Sequence, residues 1–239
     1  MTQKVVFLPG MMCDDRLFGP QIGDLSDQYD CDVITFSTEP SISDMSKTVI
    51  AKQSAPFHVV GLSMGGIVAL DLALHHADKI TSLTVINSTA RADHPNNSAL
   101  RKRQIKAVQS GLLSTVMKTE LKPNYVYNSG INDETLSLCL NMAMSLGPNA
   151  FVAQSLALMH RADYVERIKD VTCPTLIISG ENDTLCPLDR HLEIAERLPH
   201  AKLTVIPNCG HLSSLEHPDV VTAALLDFLL SQKEKLCPA

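Results

Sequence analysis

The chain has 239 residues, is 45% hydrophobic and 19% charged, and carries a formal net charge of −6 at pH 7. That length and apolar content suit one large core, or a core with an insertion, and exclude a disordered chain. The acidic balance offers no basic footprint for nucleic acid and no Lys/Arg block for a membrane surface, so the expected partners are small or neutral molecules.

The first predicted element is a buried strand over 4–8, stopped by Pro9-Gly10. A helix over 14–28 follows, with Leu17, Phe18, Ile22 and Leu25 on one side, then a strand over 31–36 and a helix marked by Ile42, Met45, Val49 and Ile50. The third strand, 57–62, runs into Gly61-Leu62-Ser63-Met64-Gly65 and then an apolar helix over 64–76. A fourth strand covers 82–87. Repeated strand–helix units of this kind specify a mostly parallel sheet with helices on both faces, an α/β class.

From Arg91 to about Glu166 the pattern turns helical and no strand run occurs, which is too long for a loop. The expected organisation is therefore a core of 1–90 and 166–239 with a helical cap, 91–165, inserted in it. Strands at 175–179 and 203–206, a helix over 188–198 and a last helix over 220–230 complete six strands. The apolar run Val5-Val6-Phe7-Leu8 is too short for a signal-peptide core, and no run of about 18 apolar residues is read as a membrane span.

The chemistry concentrates at three loops. Gly61-Leu62-Ser63-Met64-Gly65, between strand and helix, has the form of a nucleophile elbow, in which small residues let the serine project from a strained turn. Read alone, Gly-x-Ser-x-Gly is as well a plain turn. A serine nucleophile needs a base, and the base a carboxylate that fixes its tautomer. Gly180-Glu181-Asn182-Asp183 follows the strand at 175–179, and Gly210-His211 follows the strand at 203–206, both at the carboxyl ends where open sheets carry their sites. The order Ser63, Asp183, His211 is that of α/β-hydrolases. Glu181 is the rival acid.

These motifs, with Leu8-Pro9-Gly10-Met11, resemble those of the α/β-hydrolase family over nearly the whole chain. The chain resembles the small carboxylesterase type with a helical lid, which includes carrier-protein methyl ester esterases. The resemblance implies Ser63 as nucleophile, His211 as base, Asp183 as orienting acid, and backbone N–H groups of Met64 and Met11 as oxyanion hole, with Met12 the alternative donor. Pro9 stands where the family often has histidine. The implied reaction is hydrolysis of a small-molecule carboxylic ester without cofactor or metal. Lactone or carbon–carbon bond hydrolysis, a lyase, and a receptor that kept the fold are the rivals.

Around the site, Met12, Met142, Met144 and Met159 are candidates for an adaptable apolar pocket, though methionines on such helices are as a rule core. Arg101, Lys102, Arg103 and Lys106, with Arg91, form a basic stretch read as a solvated helix face; an anionic substrate or an acyl-carrier protein is its functional alternative. Cys13, Cys31, Cys139, Cys173, Cys186, Cys209 and Cys237 are odd in number and form no Cys-x-x-Cys pair, which argues against a disulfide framework or zinc site and for a reducing cytoplasm. Cys13, Cys186 and Cys209 lie beside the three loops, either thiol-reactive or, more plainly, small buried residues. His217 and Glu216 do not match a zinc spacing, and His58, His75, His76, His160, His191 and His200 receive no role.

Overall fold

A computed structural model describes residues 2–127 and 133–236; Cys237 lies outside them. Six strands, β1 (Lys4–Leu8), β2 (Asp30–Val33), β3 (Phe57–Leu62), β4 (Ile80–Ile86), β5 (Thr175–Gly180) and β6 (Lys202–Ile206), form one sheet in the order β2-β1-β3-β4-β5-β6. Every pairing is parallel. The sheet is sandwiched, so alternate residues of one strand enter different cores. Val5, Phe7, Val60, Leu62 and Ile178 pack on one face, and Val6, Leu8, Val59, Leu83 and Ile177 on the other. That two-sided burial is why these strands read as continuous apolar runs.

Helices α1 (Gly19–Leu25) and α9 (Pro218–Leu236) cover the first face. Helices α2 (Ile42–Lys52), α3 (Met64–His75) and α7 (Leu188–Arg197) cover the second, and α8 (Ser213–Glu216) is a single turn before α9. The helix expected over 14–28 is instead a 3₁₀ turn, Asp15–Phe18, followed by α1. Asp14 caps the turn through the Arg16 N–H at 3.1 Å, and Pro20 opens the second segment because its missing N–H costs nothing in a first turn. Strand β2 ends at Val33, short of the expected 36, and β4 ends at Ile86, because Asn87 turns into the left-handed region at φ 44°.

Between β4 and β5 lie α4 (Asn97–Gln109), α5 (Leu113–Val116) and α6 (Asp133–Met159), with short π and 3₁₀ turns over Met117–Leu121 and Lys122–Asn124. Helix α6 is broken at Gly147, φ 81°, followed by Pro148, so it consists of two helical arms. Against expectation, α6 contains an 18-residue window of mean hydropathy 1.3, enough in length and composition to cross a membrane. Polar residues interspersed at Ser137, Asn141 and Ser145 hid it from a search for an unbroken apolar run. The kink divides the helix, and its residues Cys139, Met142, Ala143, Ala150 and Phe151 belong to the first-face core.

The strand order positions the site. The chain moves outward from β1 to β2 and then crosses to β3, so the direction of winding reverses between β1 and β3. At such a point the loops leaving the two strands diverge and open a crevice at their carboxyl ends. The loop after β1 begins at Pro9 and the turn after β3 is Ser63.

Candidate active site

Ser63 connects β3 to α3 with φ 55° and ψ −116°, a backbone region that costs an L-residue about 1–3 kcal/mol. The surroundings hold it there. A Cβ on Gly65 would overlap the Leu8 carbonyl, and one on Gly61 would overlap the Gly65 carbonyl, so strand and helix approach only because both are glycine. Ser63 N–H donates to the Ile86 carbonyl at 2.9 Å, while the Ser63 carbonyl accepts the Ser88 hydroxyl at 2.7 Å. Serine at a helix start ordinarily caps the first turn with its oxygen. Ser63 makes no such cap bond, and its Oγ stands 2.9 Å from His211 Nε2.

His211 Nδ1 is 2.8 Å from Asp183 Oδ2. The three residues named from the sequence thus meet, although 148 and 28 positions separate their contacts along the chain. Glu181 instead sits exposed, its carboxylate 3.4 Å from the Asn208 N–H. Burial acts to raise the Asp183 pKa, but the neighbouring His211 charge and hydrogen bonds from His211, the Cys186 N–H and Asn87 outweigh it, leaving the group below its usual value. Asp183 is therefore ionised at neutral pH. The stability it contributes is present above the unfolded-state value of about 3.9 and is lost as pH falls through the depressed folded value.

Four donors fill the Asp183 carboxylate. Oδ1 accepts the N–H groups of Leu185 and Cys186 at 2.8 and 2.9 Å; Oδ2 accepts Asn87 Nδ2 at 2.9 Å besides facing His211. Asn87 also donates to the Gly210 carbonyl at 3.1 Å and accepts Ser213 Oγ at 2.5 Å, tying the acid loop to the histidine loop. Glu216 accepts N–H groups of Gly210 and Leu212, and the Tyr125 carbonyl accepts those of His211 and Leu212. His191, fully buried, accepts the Ser88 N–H at 3.0 Å and lies 3.0 Å from Ser179 Oγ; burial lowers its pKa to about 4, which keeps it neutral for that role. Sequence reasoning passed over Asn87, Glu216, Tyr125 and His191. The one available signal was an asparagine directly at the carboxyl end of β4.

In the loop after β1, Met12 is buried with φ 57°, and its N–H is taken by Gln154 Oε1 at 2.7 Å. Gln154, from the second arm of α6, also donates to the Phe36 carbonyl. That removes Met12 as a free donor. Among the described residues, the N–H groups of Met11 and Met64 have no backbone or side-chain acceptor.

A cavity of about 320 Å³ opens beside Ser63 and His211, floored by Gly10, Met11 and Leu62 and roofed by α4 and the following turns. The expected methionine pocket is corrected here. Met12 and Met142 are fully buried in the core, Met144 is 49% exposed, and Met159 is half-buried with its Sδ 3.6 Å from Ser98 Oγ. Among the described methionines, Met11 alone is in the wall, because flexible thioethers fill irregular core gaps as readily as binding sites. Much of the wall is polar instead: Asp93, Asn97, Arg101, Gln104, Glu120 and Arg161. The basic stretch splits accordingly, Arg101 facing the cavity while Lys102, Arg103 and Lys106 are exposed.

Cys13, Cys186 and Cys209 are buried, and burial pushes each thiol pKa up, which fits inert thiols rather than reactive ones. Asp183, Cys186 and His211 bring possible metal ligand atoms within 4.8 Å of one another. The carboxylate's lone pairs are already filled and the thiol is protonated, so the set fits a hydrogen-bonded relay better than an ion.

The sequence pattern of the alpha/beta hydrolase family matches residues 5–224. The chain belongs to this family. A protein of Agrobacterium fabrum bearing the name carbamate hydrolase RutD is 26% identical over 231 residues, covering 88% of this chain and 87% of the relative. A Pseudomonas protein named 2-hydroxy-6-oxononadienedioate/2-hydroxy-6-oxononatrienedioate hydrolase is 26% identical over 203 residues, covering 82% and 71%. A thermophilic esterase from Thermogutta terrifontis superposes with a TM-score of 0.87 at 24% identity, covering 97% of this chain and 91% of its own, a likeness of fold. Hydrolase chemistry is common to these names, and the reaction within it depends on the site.

Proposed function

We propose that this alpha/beta hydrolase cleaves carboxylic esters through an acyl-enzyme on Ser63. The observation that carries the reading is the hydrogen-bonded line Ser63 Oγ, His211 Nε2, His211 Nδ1, Asp183 Oδ2, with links of 2.9 and 2.8 Å at the wall of a cavity. Ser63 Oγ bonds to the ester carbonyl carbon as its proton passes to His211 Nε2. Asp183, ionised and held by four donors, keeps the Nδ1 proton in place and stabilises the imidazolium. The N–H groups of Met64 and Met11 receive the oxyanion, helped by the positive end of α3, which begins at Met64. His211 returns the proton to the departing alcohol. Water, deprotonated by His211, then attacks the acyl carbon, releasing the acid and restoring Ser63.

Carbon–carbon bond hydrolysis would employ the same groups, and the Pseudomonas relative is named for a hydrolase of a carbon-rich dioic acid. A panel of esters varying in acyl length and charge separates the readings. Turnover of ester members, with a transient acyl mass increment on the peptide carrying Ser63, is the expected result. No turnover by the folded protein across the panel would leave ester hydrolysis without support and favour the second reading.

A further inference from the structure

Helix α4 is polar on the face it turns inward. Asn97, Arg101 and Gln104, at helical spacing, line the cavity, while Val108 of the same helix enters the core. Burying such a face costs free energy unless its groups are paired or reserved for a ligand. Most are paired. Asp93, 4% exposed, accepts Arg101 Nε at 2.6 Å and Asn97 Nδ2 at 2.9 Å, and lies 3.3 Å from Arg161 Nη1. Arg161 also donates to the carbonyls of Arg91, Leu158 and Ala92, which occupies its guanidinium. Glu120 accepts from Arg103 and Gln104 and is neutralised by Arg103 outside the wall.

Arg101 is different. Only its Nε is engaged, and among the described residues its two Nη groups have no hydrogen-bond acceptor, although the side chain is 18% exposed. One Asp93 faces two guanidinium groups while Glu120, the other acid of the wall, is paired with Arg103, so the open end of Arg101 is left to present the paired donors that match a carboxylate.

We propose that the cavity takes an anionic substrate, a small ester whose far end carries a carboxylate bound by the Nη groups of Arg101. This rests on the ester-hydrolase reading and names its substrate class. Burial tends to raise the Asp93 pKa, but hydrogen bonds from Arg101 and Asn97 and the charges of Arg101 and Arg161 lower it overall, so Asp93 remains the fixed counter-charge that aims Arg101. A volume near 320 Å³ is at the lower end of ligand pockets and suits a short acid rather than a long acyl chain.

The test uses the full chain with Ser63→Ala, so that ligands are not consumed. Monomethyl esters of the straight-chain diacids from malonate to adipate are titrated by calorimetry beside their neutral amide counterparts. At the best-fitting length the anion is expected to bind at least about tenfold tighter. Arg101→Gln should bring that ratio to near one, and Arg101→Lys, which keeps the charge but not the fork, should retain part of it. Equal or tighter binding of the neutral amide at every length overturns the proposal, as does a preference undiminished in folded Arg101→Gln. Because binding is read without turnover, failure here leaves the ester-hydrolase reading intact, and absence of ester turnover in the wild type leaves this result interpretable.

Discussion

Replacing Ser63 by alanine is expected to lower ester hydrolysis by about 10³- to 10⁶-fold, the range in which loss of a triad nucleophile leaves only positioning and oxyanion binding. The fold should be unaffected. The hydroxyl's partner is His211, and the bonds that fix the turn, from Ser63 N–H to Ile86 and from Ser88 Oγ to the Ser63 carbonyl, are made by backbone atoms of residue 63 that alanine retains. Alanine meets the same backbone strain at φ 55° as serine, so the cost of that conformation does not change. Steady-state kinetics alongside a thermal melt checks both halves. Turnover near the wild-type rate in a variant that melts normally is incompatible with a Ser63 nucleophile.

A second large effect is expected from Asp183→Asn, a loss of about 10⁴-fold in kcat. The amide has one acceptor and one donor face where the carboxylate has two acceptors. With its oxygen toward His211 and Asn87, its NH₂ meets the N–H groups of Leu185 and Cys186; reversed, its NH₂ meets Asn87 Nδ2 and His211 Nδ1. The first orientation strands buried donors, at about 1–3 kcal/mol of stability. The second forces His211 to carry its proton on Nε2, where it can no longer accept one from Ser63. Loss of rate should therefore come with a modest fall in melting temperature. If the variant kept full activity, the orienting acid would have to be sought elsewhere, with Glu181 the rival from sequence.

The six strands, the helical insertion and the meeting of Ser63, Asp183 and His211 were all legible in the chain because they rest on local signals: short apolar runs, glycines around one serine, and loops after strands. What held those loops in place was not. Asn87 reaches Asp183 across 96 positions and Gln154 reaches Met12 across 142, and no periodicity records such a bond. The cavity was misread for a related reason. A count of methionines is blind to which way a helix turns, and here Met12 and Met142 face the core while Arg101, in a stretch that reads as a solvated face, looks into the site. The inward stripe of α4 is polar at Asn97, Arg101 and Gln104 and turns apolar at Val108, and a pattern search sees the apolar position first.

In the proposed reaction Ser63, activated by His211, supplies the attacking oxygen. Incubating the wild-type protein with a fluorophosphonate probe and mapping the adduct by peptide mass spectrometry tests this most directly. One adduct per chain, on the peptide containing Ser63 and absent after heat denaturation, is the predicted result. A folded protein that takes up no label, or takes it on another serine, would contradict the account.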